Sequence, residues 1–531
     1  MPILPACLSV VLGLAAGGAP VPQSVSRTVP GVGIGVAWAQ PGADLALDLP
    51  ESPFQAMAER FFRAAAAGDE AVLTEFYNTH FLPGMREGLT LEQHLGFARD
   101  LGRLIQHADS ITFGSSMAYT ALCYDEEGDR WMNVQLVFEN PGAPKVAGIG
   151  IWPGESPEVL ATGAASDDAA FGERLLAFAS ELGESDEFSG ALLVTRNGEV
   201  VCSGAYGEAD KRWGVPNTLE TKFNLGSANK FFTAIAICQL AEAGKLGYDQ
   251  TVGDLLPDYP NEDVKRQVTV HHLLTHTGGT GSHFSDEFFE SSRLTHRTLH
   301  DYIPLIEGNG VAYRPGSEMA YSNAGFFILG LIVEAASGES YYDYVRTHIT
   351  GPAGTTGTDC YDVDIPVPGV AVGYIPADEY NSMFDWGSTG DDLPDLPDTA
   401  RNWRTNTFLH SIKGGPAGGG YSTVEDLGRI AHAYMTGSLV SPDTRDLMTT
   451  AHTPFGRSTS TSYGYGTIIE TQDDGLRSYG HGGDFPGIQT RWTIVPDSEG
   501  EGGYYSIAVM SNYAGAAGRI YDQALRLLPR R

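Results

Sequence analysis

The stretch "NLGSANKFFTAIAICQLAEAGKL", residues 224–246, joins a serine and a lysine to a long apolar segment. Ser227 and Lys230 are three residues apart, so in a helix they would share one face, with Cβ atoms about 5–6 Å apart. The residues that follow are almost all apolar, which predicts a helix buried in the core. A lysine at the buried start of such a helix needs a chemical reason, because burial disfavours its ammonium form.

One such reason is nucleophilic catalysis by the serine. A serine hydroxyl becomes a good nucleophile when a neighbouring base removes its proton, and burial lowers the pKa of a lysine enough for Lys230 to be that base. Four-residue S-x-x-K matches are common by chance, so the pattern alone leaves a structural role open. The sequence contains no G-x-S-x-G pentapeptide, which argues against the nucleophile elbow of α/β-hydrolases.

Two further motifs follow in the chain. The stretch "YRPGSEMAYSNAGFFILG" places Tyr321 and Asn323 just before an apolar segment, and "SYGHGGDFPG" places His481, Gly482 and Gly483 where a strand-like segment gives way to a turn. Taken alone, the first pair would be an ordinary helix cap, because asparagine is a good N-cap residue. An isolated histidine in a turn would equally be a surface residue. Only the set of three motifs in one order favours catalysis.

This ordered set of S-x-x-K, Y-x-N and H-G-G resembles the serine β-lactamase and penicillin-binding-protein family. Its spacing is similar to that of class C β-lactamases, related DD-peptidases and the esterases derived from them. The stretches "VTVHHLLTHTGG" (268–279) and "GGPAGGGYSTVEDL" (414–427) look like the same group. The resemblance covers residues 175–529.

The resemblance implies a role for each motif residue. Ser227 would be the nucleophile, Lys230 its activating partner, and Tyr321 the base or proton shuttle toward the leaving group. Asn323 would hydrogen-bond the substrate or the lysine. A tyrosine beside a lysine shares its proton more readily, which agrees with these roles.

The third motif carries the remaining implied roles. His481 stands where many family members have lysine and some have histidine. Gly482 and Gly483 would lie against the substrate, and the backbone N–H groups of Ser227 and Asp484 would form the oxyanion hole. Two fixed N–H donors stabilise a tetrahedral oxyanion, so neither a metal nor another cofactor is needed.

The resemblance also implies an α/β (α+β) fold with an antiparallel sheet flanked by helices and a helical subdomain. The sequence supports one part of this directly. "GALLVTRNGEVVCSGAYG" reads as two strands joined by an Asn197-Gly198 turn, and strand-like segments recur near the C-terminus. Because a helical middle separates them, we expect one sheet whose strands come from both ends of the domain. The apolar segment 324–337 predicts a helix that ends near Gly338.

The rest of the chain predicts further segments. Residues 1–39 read as a signal peptide, because an apolar run is followed by "AWA" as a small-residue cleavage site, so we expect a periplasmic or secreted protein. Residues 50–153 predict a small α+β accessory domain, weakly similar to the nuclear-transport-factor-like kind. Residues 154–170 are small, acidic and turn-rich, which suits a linker. The hydrolase domain would occupy residues 171–531.

Composition excludes several classes of partner. The 66 acidic and 33 basic side chains give a net charge of −33, which repels nucleic acids and anionic lipid surfaces. We expect no stable membrane span. The cysteines from Cys123 onward show no C-x-x-C spacing and no clustering with histidine. His272 and His276 could face one metal ion on a helix, but no H-E-x-x-H glutamate is present, so we expect no metal site.

These observations predict a serine hydrolase that forms an acyl-enzyme on a small ester, amide or peptide substrate. A carboxylesterase or D-amino-acid peptide hydrolase is favoured, because His481 offers no fixed cation to the carboxylate of a β-lactam. A β-lactamase or DD-carboxypeptidase is the alternative, and a non-catalytic ligand-binding protein on the same scaffold is a second. Residues 376–413 form a long aromatic-rich loop, in which Trp386 would line the substrate pocket.

Overall fold

The computed structural model describes residues 53–530, except 83–85, 87–89, 106–107, 116–117, 126–129, 141–142, 157–158, 160–162, 378, 381–401, 456–459, 473 and 498–502. The predicted signal peptide and Trp386 therefore lie outside the described residues. The chain divides into two compact units between residues 162 and 163.

The first unit contains three helices followed by a four-stranded antiparallel sheet in the order β1-β2-β3-β4. Its elements are α1 (Pro53–Ala67), α2 (Glu70–His80), α3 (Leu91–Ile105), β1 (Ala108–Ser115), β2 (Ala118–Asp125), β3 (Arg130–Asn140) and β4 (Ala143–Pro153). Its core consists mainly of phenylalanine and small apolar side chains from the helices, packed against apolar residues of β3 and β4. The stretches "WMNVQLVFEN" (131–140) and "KVAGIGIWP" (145–153), which read as strands in the sequence, lie in β3 and β4.

The second unit is built on an eight-stranded sheet in which every neighbouring pair is antiparallel, in the order β13-β14-β15-β16-β17-β18-β5-β6. The strands of this sheet are β5 (Gly190–Arg196), β6 (Glu199–Tyr206), β13 (Thr453–Pro454), β14 (Thr461–Tyr463), β15 (Ile468–Thr471), β16 (Arg477–Phe485), β17 (Ile488–Pro496) and β18 (Tyr504–Ser511). The early strand β5 pairs with the last strand, β18. This confirms the prediction of one sheet built from both ends of the domain.

Short strands form three two-stranded pairings beside the main sheet. They are β7 (Glu208–Asp210), β8 (Val215–Pro216), β9 (Phe223–Asn224), β10 (Tyr374–Pro376), β11 (Trp403–Thr405) and β12 (Tyr421–Ser422). The pairing of β10 with β11 brings together the two sides of the aromatic-rich segment predicted as a long loop.

The helices of the second unit are mostly short. They are α4 (Asp168–Glu184), α5 (Asn229–Glu242), α6 (Val252–Leu255), α7 (Glu262–Gln267), α8 (Val270–Leu274), α9 (Asp286–Glu290), α10 (Ile303–Ile306), α11 (Asn323–Ser337), α12 (Tyr341–Val345), α13 (Val424–Met435), α14 (Pro442–Met448) and α15 (Ala516–Leu527). The helix α4 begins inside the stretch 154–170 that the sequence predicted as a linker. The central helices α5 and α11 pack against each other, and α15 packs on β17 and β18.

Local sequence explains where several of these elements begin and end. Asn197 and Gly198 have φ angles of 53° and 88°, as the predicted tight turn between β5 and β6 requires. The helix α11 ends at Gly338, which adopts the left-handed conformation with φ 80°. Both predictions are confirmed. None of the helices within the described ranges has the length and apolarity needed to cross a bilayer.

Candidate active site

The serine and lysine of the first motif lie at the junction of a short 3-10 turn, Gly226–Ala228, and the helix α5. Nearly every side chain of this helix is buried, as its apolar sequence predicted. Lys230 is fully buried, whereas Ser227 remains partly accessible. Gly226 has a φ of 50°, a conformation that favours glycine, and it allows the chain to turn sharply before the serine.

Lys230 is held by three acceptors. Its Nζ donates to Ser227 Oγ at 3.2 Å, to Asn323 Oδ1 at 2.8 Å, and to the backbone carbonyl of Ala417. Burial places the pKa of Lys230 well below its ordinary value of 10.5, because the ammonium form loses its hydration. The amide and carbonyl oxygens can only accept, so they keep two N–H donors of Lys230 when the amine is neutral. In that form the lone pair takes the place of the N–H that faces Ser227 Oγ.

The ring of Tyr321 lies next to the amine of Lys230. The lysine Nζ is 4.7 Å from the centroid of the tyrosine ring. Burial raises the pKa of Tyr321, and interaction with the Ser227 hydroxyl opposes this rise. Within the part of the chain that the structure describes, the Tyr321 hydroxyl has no hydrogen-bond partner of standard geometry. The tyrosine therefore rests as a neutral phenol whose proton is available to another group.

The start of helix α11 positions the second motif. Ser322 caps this helix by accepting a hydrogen bond from the N–H of Gly325, and its own hydroxyl donates to the carbonyl of Gly281. Asn323, the first helical residue, accepts from Lys230 through Oδ1 and donates to Ser282 Oγ through Nδ2 at 3.3 Å. The predicted alternative of a simple helix cap falls on Ser322, so Asn323 is free to contact the lysine.

His276 contacts both Ser322 and the ring of Tyr321. Its Nδ1 accepts the backbone N–H of Ser322 at 3.0 Å, and its ring centroid lies 4.2 Å from that of Tyr321. Burial lowers the pKa of His276 well below its ordinary value, so the ring is neutral. It lies beyond the end of α8, which carries His272, and the described residues contain no group of three potential metal ligands.

His481 lies on β16 and is buried. Its Nδ1 is beside the carbonyl of Gly482, so this nitrogen carries the proton, and Nε2 accepts a hydrogen bond of 3.0 Å from the hydroxyl of Tyr463. Burial lowers the pKa of His481 to about 3. The third motif therefore presents a neutral ring at neutral pH.

The glycines after His481 allow β16 to approach the nucleophile closely. A Cβ on Gly483 would lie 1.9 Å from the carbonyl oxygen of Leu225 and 2.7 Å from the backbone nitrogen of Ser227. A Cβ on Gly226 would lie 3.1 Å from the backbone nitrogen of Asp484. Gly226 and Gly483 thus lie against each other, and each directly precedes one of the two predicted oxyanion-hole nitrogens, those of Ser227 and Asp484.

The side chain of Asp484 points into an ion pair. Arg491 donates to both carboxylate oxygens, at 2.9 and 3.0 Å, and Gln489 donates to one of them at 2.7 Å. The pair links β16 with β17 directly beside the backbone nitrogen of Asp484, which the sequence predicted as part of the oxyanion hole. Its negative and positive charges are therefore largely satisfied by each other.

The triple glycine, Gly418 to Gly420, forms a close backbone contact beside the site and not a phosphate loop. The N–H of Gly419 donates to the carbonyl of Gly226, and the N–H of Gly420 donates to Asn229 Oδ1. Its neighbour Ala417 supplies the carbonyl that accepts from Lys230. The glycines therefore let this segment approach the backbone of Gly226 and Ser227 closely.

Several residues of the site were not identified from the sequence. They are Ala417, Ser282, His276, Tyr463 and Arg491. A backbone carbonyl carries no residue-type signal, and the tyrosine and arginine belong to no short motif. His276 lies in the quoted stretch 268–279, where it was considered only as a structural or metal-binding residue.

The fold and the arrangement of these groups define a hydrolase of the β-lactamase fold. The chain belongs to the beta-lactamase family, whose family model matches residues 177–529. This confirms the resemblance inferred from the three motifs.

Named relatives are similar over much of the same region. Penicillin-binding protein 4* of Bacillus subtilis (strain 168) is 28% identical over 318 residues, which cover 58% of this chain and 66% of that protein. The putative penicillin-binding protein PbpX of the same strain is 29% identical over 343 residues, which cover 64% of this chain and 75% of that protein. The chain thus spans about two thirds and three quarters of the length of these relatives.

Solved structures show the same fold. A penicillin binding protein from Bacillus halodurans superposes with a TM-score of 0.55 at 30% identity, covering 65% of this chain and 97% of that one. The D-amino acid amidase from Ochrobactrum anthropi SV3 superposes with a TM-score of 0.53 at 21% identity, covering 67% of this chain and 98% of that one. The second likeness concerns the fold alone.

Proposed function

We propose that this protein is a serine hydrolase that forms an acyl-enzyme on Ser227, and that it is a carboxylesterase or a D-amino-acid peptide hydrolase. The observation that carries the proposal is the environment of Lys230. Two acceptor-only oxygens, on Asn323 and Ala417, occupy two of its hydrogens, and its remaining position faces Ser227 Oγ at 3.2 Å. A buried lysine with a lowered pKa in this position is suited to remove the serine proton.

In the acylation step, Ser227 Oγ attacks the substrate carbonyl carbon while its proton passes to Lys230 Nζ. The negative charge that develops on the carbonyl oxygen is stabilised by the backbone N–H groups of Ser227 and Asp484. Gly482 and Gly483 leave the backbone of β16 open to the substrate. No step requires a metal ion or an organic cofactor.

Tyr321 completes the transfer to the leaving group. Its raised pKa keeps the phenol protonated, so it can donate that proton to the departing oxygen or nitrogen and recover one from the protonated lysine. Water then attacks the acyl-enzyme and releases the acid and free Ser227. Asn323 maintains the position of Lys230 throughout.

Charge at the third motif supports neutral substrates over carboxylate-bearing β-lactams. His481 is neutral because burial lowers its pKa to about 3. Arg491 is already paired with Asp484. Neither residue offers an unpaired positive charge to a substrate carboxylate, so binding of such substrates would lack a charge-assisted hydrogen bond.

A second candidate is action on β-lactams or peptidoglycan stem peptides, as a β-lactamase or DD-carboxypeptidase. It is favoured by the relatives, which are penicillin-binding proteins by name. The neutral state of His481 argues for slow turnover of such substrates, as described above.

The test is burst and steady-state hydrolysis of p-nitrophenyl butyrate by the intact protein and by Ser227→Ala, with nitrocefin and a D-alanyl peptide alongside. We expect ester or D-peptide turnover that disappears in the variant. Fast nitrocefin turnover would favour the second candidate. Absence of any Ser227-dependent turnover would refute the serine mechanism and support a non-catalytic binding protein.

We also propose that residues 1–39 are a signal peptide and that the protein is periplasmic or secreted, with an accessory domain at 50–153, a linker at 154–170 and the hydrolase domain at 171–531. The apolar run and the small-residue site before Gln40 support the first part. N-terminal sequencing of the protein recovered from an exporting host would test it. We expect a mature chain that begins at Gln40.

A further inference from the structure

Three phenylalanine rings form a partly exposed surface near the nucleophile. Phe284 and Phe289 are 40% and 50% exposed, and Phe485 is partly exposed. The ring of Phe284 stacks on Phe289 with centroids 5.9 Å apart and on Phe485 with centroids 6.0 Å apart. We call these three side chains the aromatic row.

The aromatic row rests on a supporting layer. Phe288 is fully buried and contacts both Phe284 and Phe289 edge-on, with centroids 5.3 Å apart in each case. The guanidinium of Arg293 lies over the rings of Phe288 and Phe289, at 4.2 and 5.5 Å from their centroids. These contacts hold the exposed rings in place before any ligand binds.

Two rings of the aromatic row, Phe485 at one end and Phe284 in the middle, lie close in sequence to the proposed catalytic groups. Phe485 directly follows Asp484, whose backbone N–H belongs to the proposed oxyanion hole. Phe284 is two residues after Ser282, whose hydroxyl accepts from Asn323. The row therefore begins where the substrate carbonyl would bind and extends outward along the segment that carries α9.

The charged groups around the row give little support to an anionic ligand. His481 is neutral, Arg491 is paired with Asp484, and the guanidinium of Arg293 donates to the backbone carbonyls of Phe288 and Ser291. Covering exposed aromatic rings with an apolar group makes the free energy of binding more favourable. An uncharged alkyl or aryl group attached to the reacting carbonyl would cover these rings and would need no cation.

From this geometry we propose that the aromatic row is the specificity subsite of the enzyme, and that it binds an apolar alkyl or aryl group on either the acyl or the alcohol (or amine) side of the substrate. The proposal rests on the function proposed above and defines its substrate class. Phe284 and Phe485 are the specificity-determining residues, because they stack on each other and follow Ser282 and Asp484 closely in the chain.

The test compares kcat/KM for p-nitrophenyl acetate, butyrate and octanoate, which vary the acyl side, and for the ethyl, butyl and benzyl esters of acetic acid, which vary the alcohol side. We expect the wild-type protein to prefer the longer or aromatic members of one series. In Phe284→Ala and Phe485→Ala this preference should fall about tenfold, because part of the apolar contact is lost. Phe284→Leu should retain most of it.

Trp213→Ala is the matched control, because Trp213 is an aromatic residue that is 80% exposed in the turn between β7 and β8. It should leave the preference unchanged. An equal fall in Trp213→Ala, or no fall in either phenylalanine variant, would overturn the proposal. A change in sedimentation of the phenylalanine variants with an unchanged preference would assign the row to association between chains and would also overturn it.

A binding measurement separates this inference from the proposed function. Boronic acids add reversibly to an activated serine without turnover, so the affinities of methylboronic and 2-phenylethylboronic acid can be compared by calorimetry. We expect the phenylethyl compound to bind more tightly to the wild type, and Phe485→Ala to remove about tenfold of that difference. This result without ester or peptide turnover would keep the subsite and reject the proposed function, whereas equal binding of the two compounds would reject the subsite.

Discussion

Lys230 and Tyr321 show how burial sets the chemistry of single side chains. Lys230 is fully buried, and the hydroxyl of Tyr321 is enclosed although its ring is partly exposed. Both pKa values are moved toward the neutral form, downward for the lysine and upward for the tyrosine, and the lysine nitrogen lies 4.7 Å from the tyrosine ring centroid. These shifts suit the proposed roles of Lys230 as proton acceptor and Tyr321 as proton donor.

We predict that activity decreases as pH falls through the lowered pKa of Lys230. Above that pKa the amine is neutral and accepts the serine proton, and below it the ammonium form cannot. Lys230→Arg should reduce kcat/KM at least about 100-fold, because a guanidinium stays protonated. The pH profile of ester hydrolysis measures both effects.

Lys413→Arg is the control for the lysine substitution, because Lys413 pairs with Asp362 and is not among the proposed catalytic groups. It should leave kcat/KM essentially unchanged. If Lys230→Arg kept more than about a tenth of the activity, Lys230 would not be the base.

We predict that His481 stays neutral between about pH 5 and pH 8, because burial lowers its pKa to about 3. Nitrogen-15 NMR of the histidine rings should show a proton on Nδ1 throughout this range. Tyr463→Phe removes the hydrogen bond to Nε2 and should shift the Nε2 resonance without creating an imidazolium signal. An imidazolium signal that grows in near pH 6.5 would contradict this prediction.

The site is assembled by the ends of a few elements. Helix α5 carries the lysine on its first turn, the capped start of α11 carries Tyr321 and Asn323, and β16 lies against the 3-10 turn that holds the serine. Ser322 fixes α11 in place through its cap and its hydrogen bond to Gly281. Catalytic geometry therefore depends on close backbone contacts between elements.

We predict that Gly483→Ala lowers kcat at least about 100-fold, because its Cβ would lie 1.9 Å from the carbonyl oxygen of Leu225 and push β16 away from the serine. Gly308→Ala is the control, because a Cβ at Gly308 would meet no atom within 4 Å. It should leave kcat essentially unchanged.

Steady-state kinetics and thermal unfolding of both variants test this prediction. Equal losses of activity in the two variants would contradict a specific contact at Gly483. Loss of folding in Gly483→Ala alone would show that the same contact is required for the fold, and the remaining activity of its folded fraction would then be compared per folded molecule.

The molecule as a whole combines two compact units with separate cores. In the first unit His94 is fully buried among Phe61, Tyr77 and Phe81, and neither ring nitrogen has a hydrogen-bond partner among the described residues. Burial lowers the pKa of His94 to about 4. Stability of this unit should therefore decrease as pH falls toward 4.

We predict that the first unit loses about 2 kcal/mol of stability as pH falls from 6.5 toward 4, because the unfolded chain binds a proton on His94 that the folded unit excludes. The contribution is fully present above the unfolded pKa and is lost as pH approaches the folded value. His94→Leu should raise the unfolding temperature and flatten this dependence, because two unpaired ring nitrogens are removed.

Calorimetry of the intact chain between pH 4 and 7.5 measures the effect, with His300→Leu as control. His300 is an exposed histidine of the second unit, with 69% of its side chain accessible. A pH dependence of the first unit that is unchanged in His94→Leu would contradict the prediction.

The sequence could name the residues that the structure brings together around Lys230, because the proposed chemistry demands particular residue types at short, fixed spacings. Ser227 and Lys230 occupy one helical turn, and Tyr321 and Asn323 begin the next long helix. The sheet could be predicted in outline, because a tight Asn197-Gly198 turn and later strand patterns are local features. The hydrogen-bond partners of Lys230 and His481 could not be predicted, because they come from distant segments with no local sequence signal.

By itself, the sequence determined the family and named the groups of the proposed site, because a helix buries its apolar face and brings residues three apart together. The tertiary structure alone decided the protonation states of those groups. Full burial lowers the pKa of Lys230, and part of that enclosure comes from the segment of Ala417, whose carbonyl accepts from Nζ and lies 187 residues away along the chain. Desolvation depends on what surrounds a side chain in space, so the lowered pKa values of Lys230 and His481 arise only when the distant segments pack together.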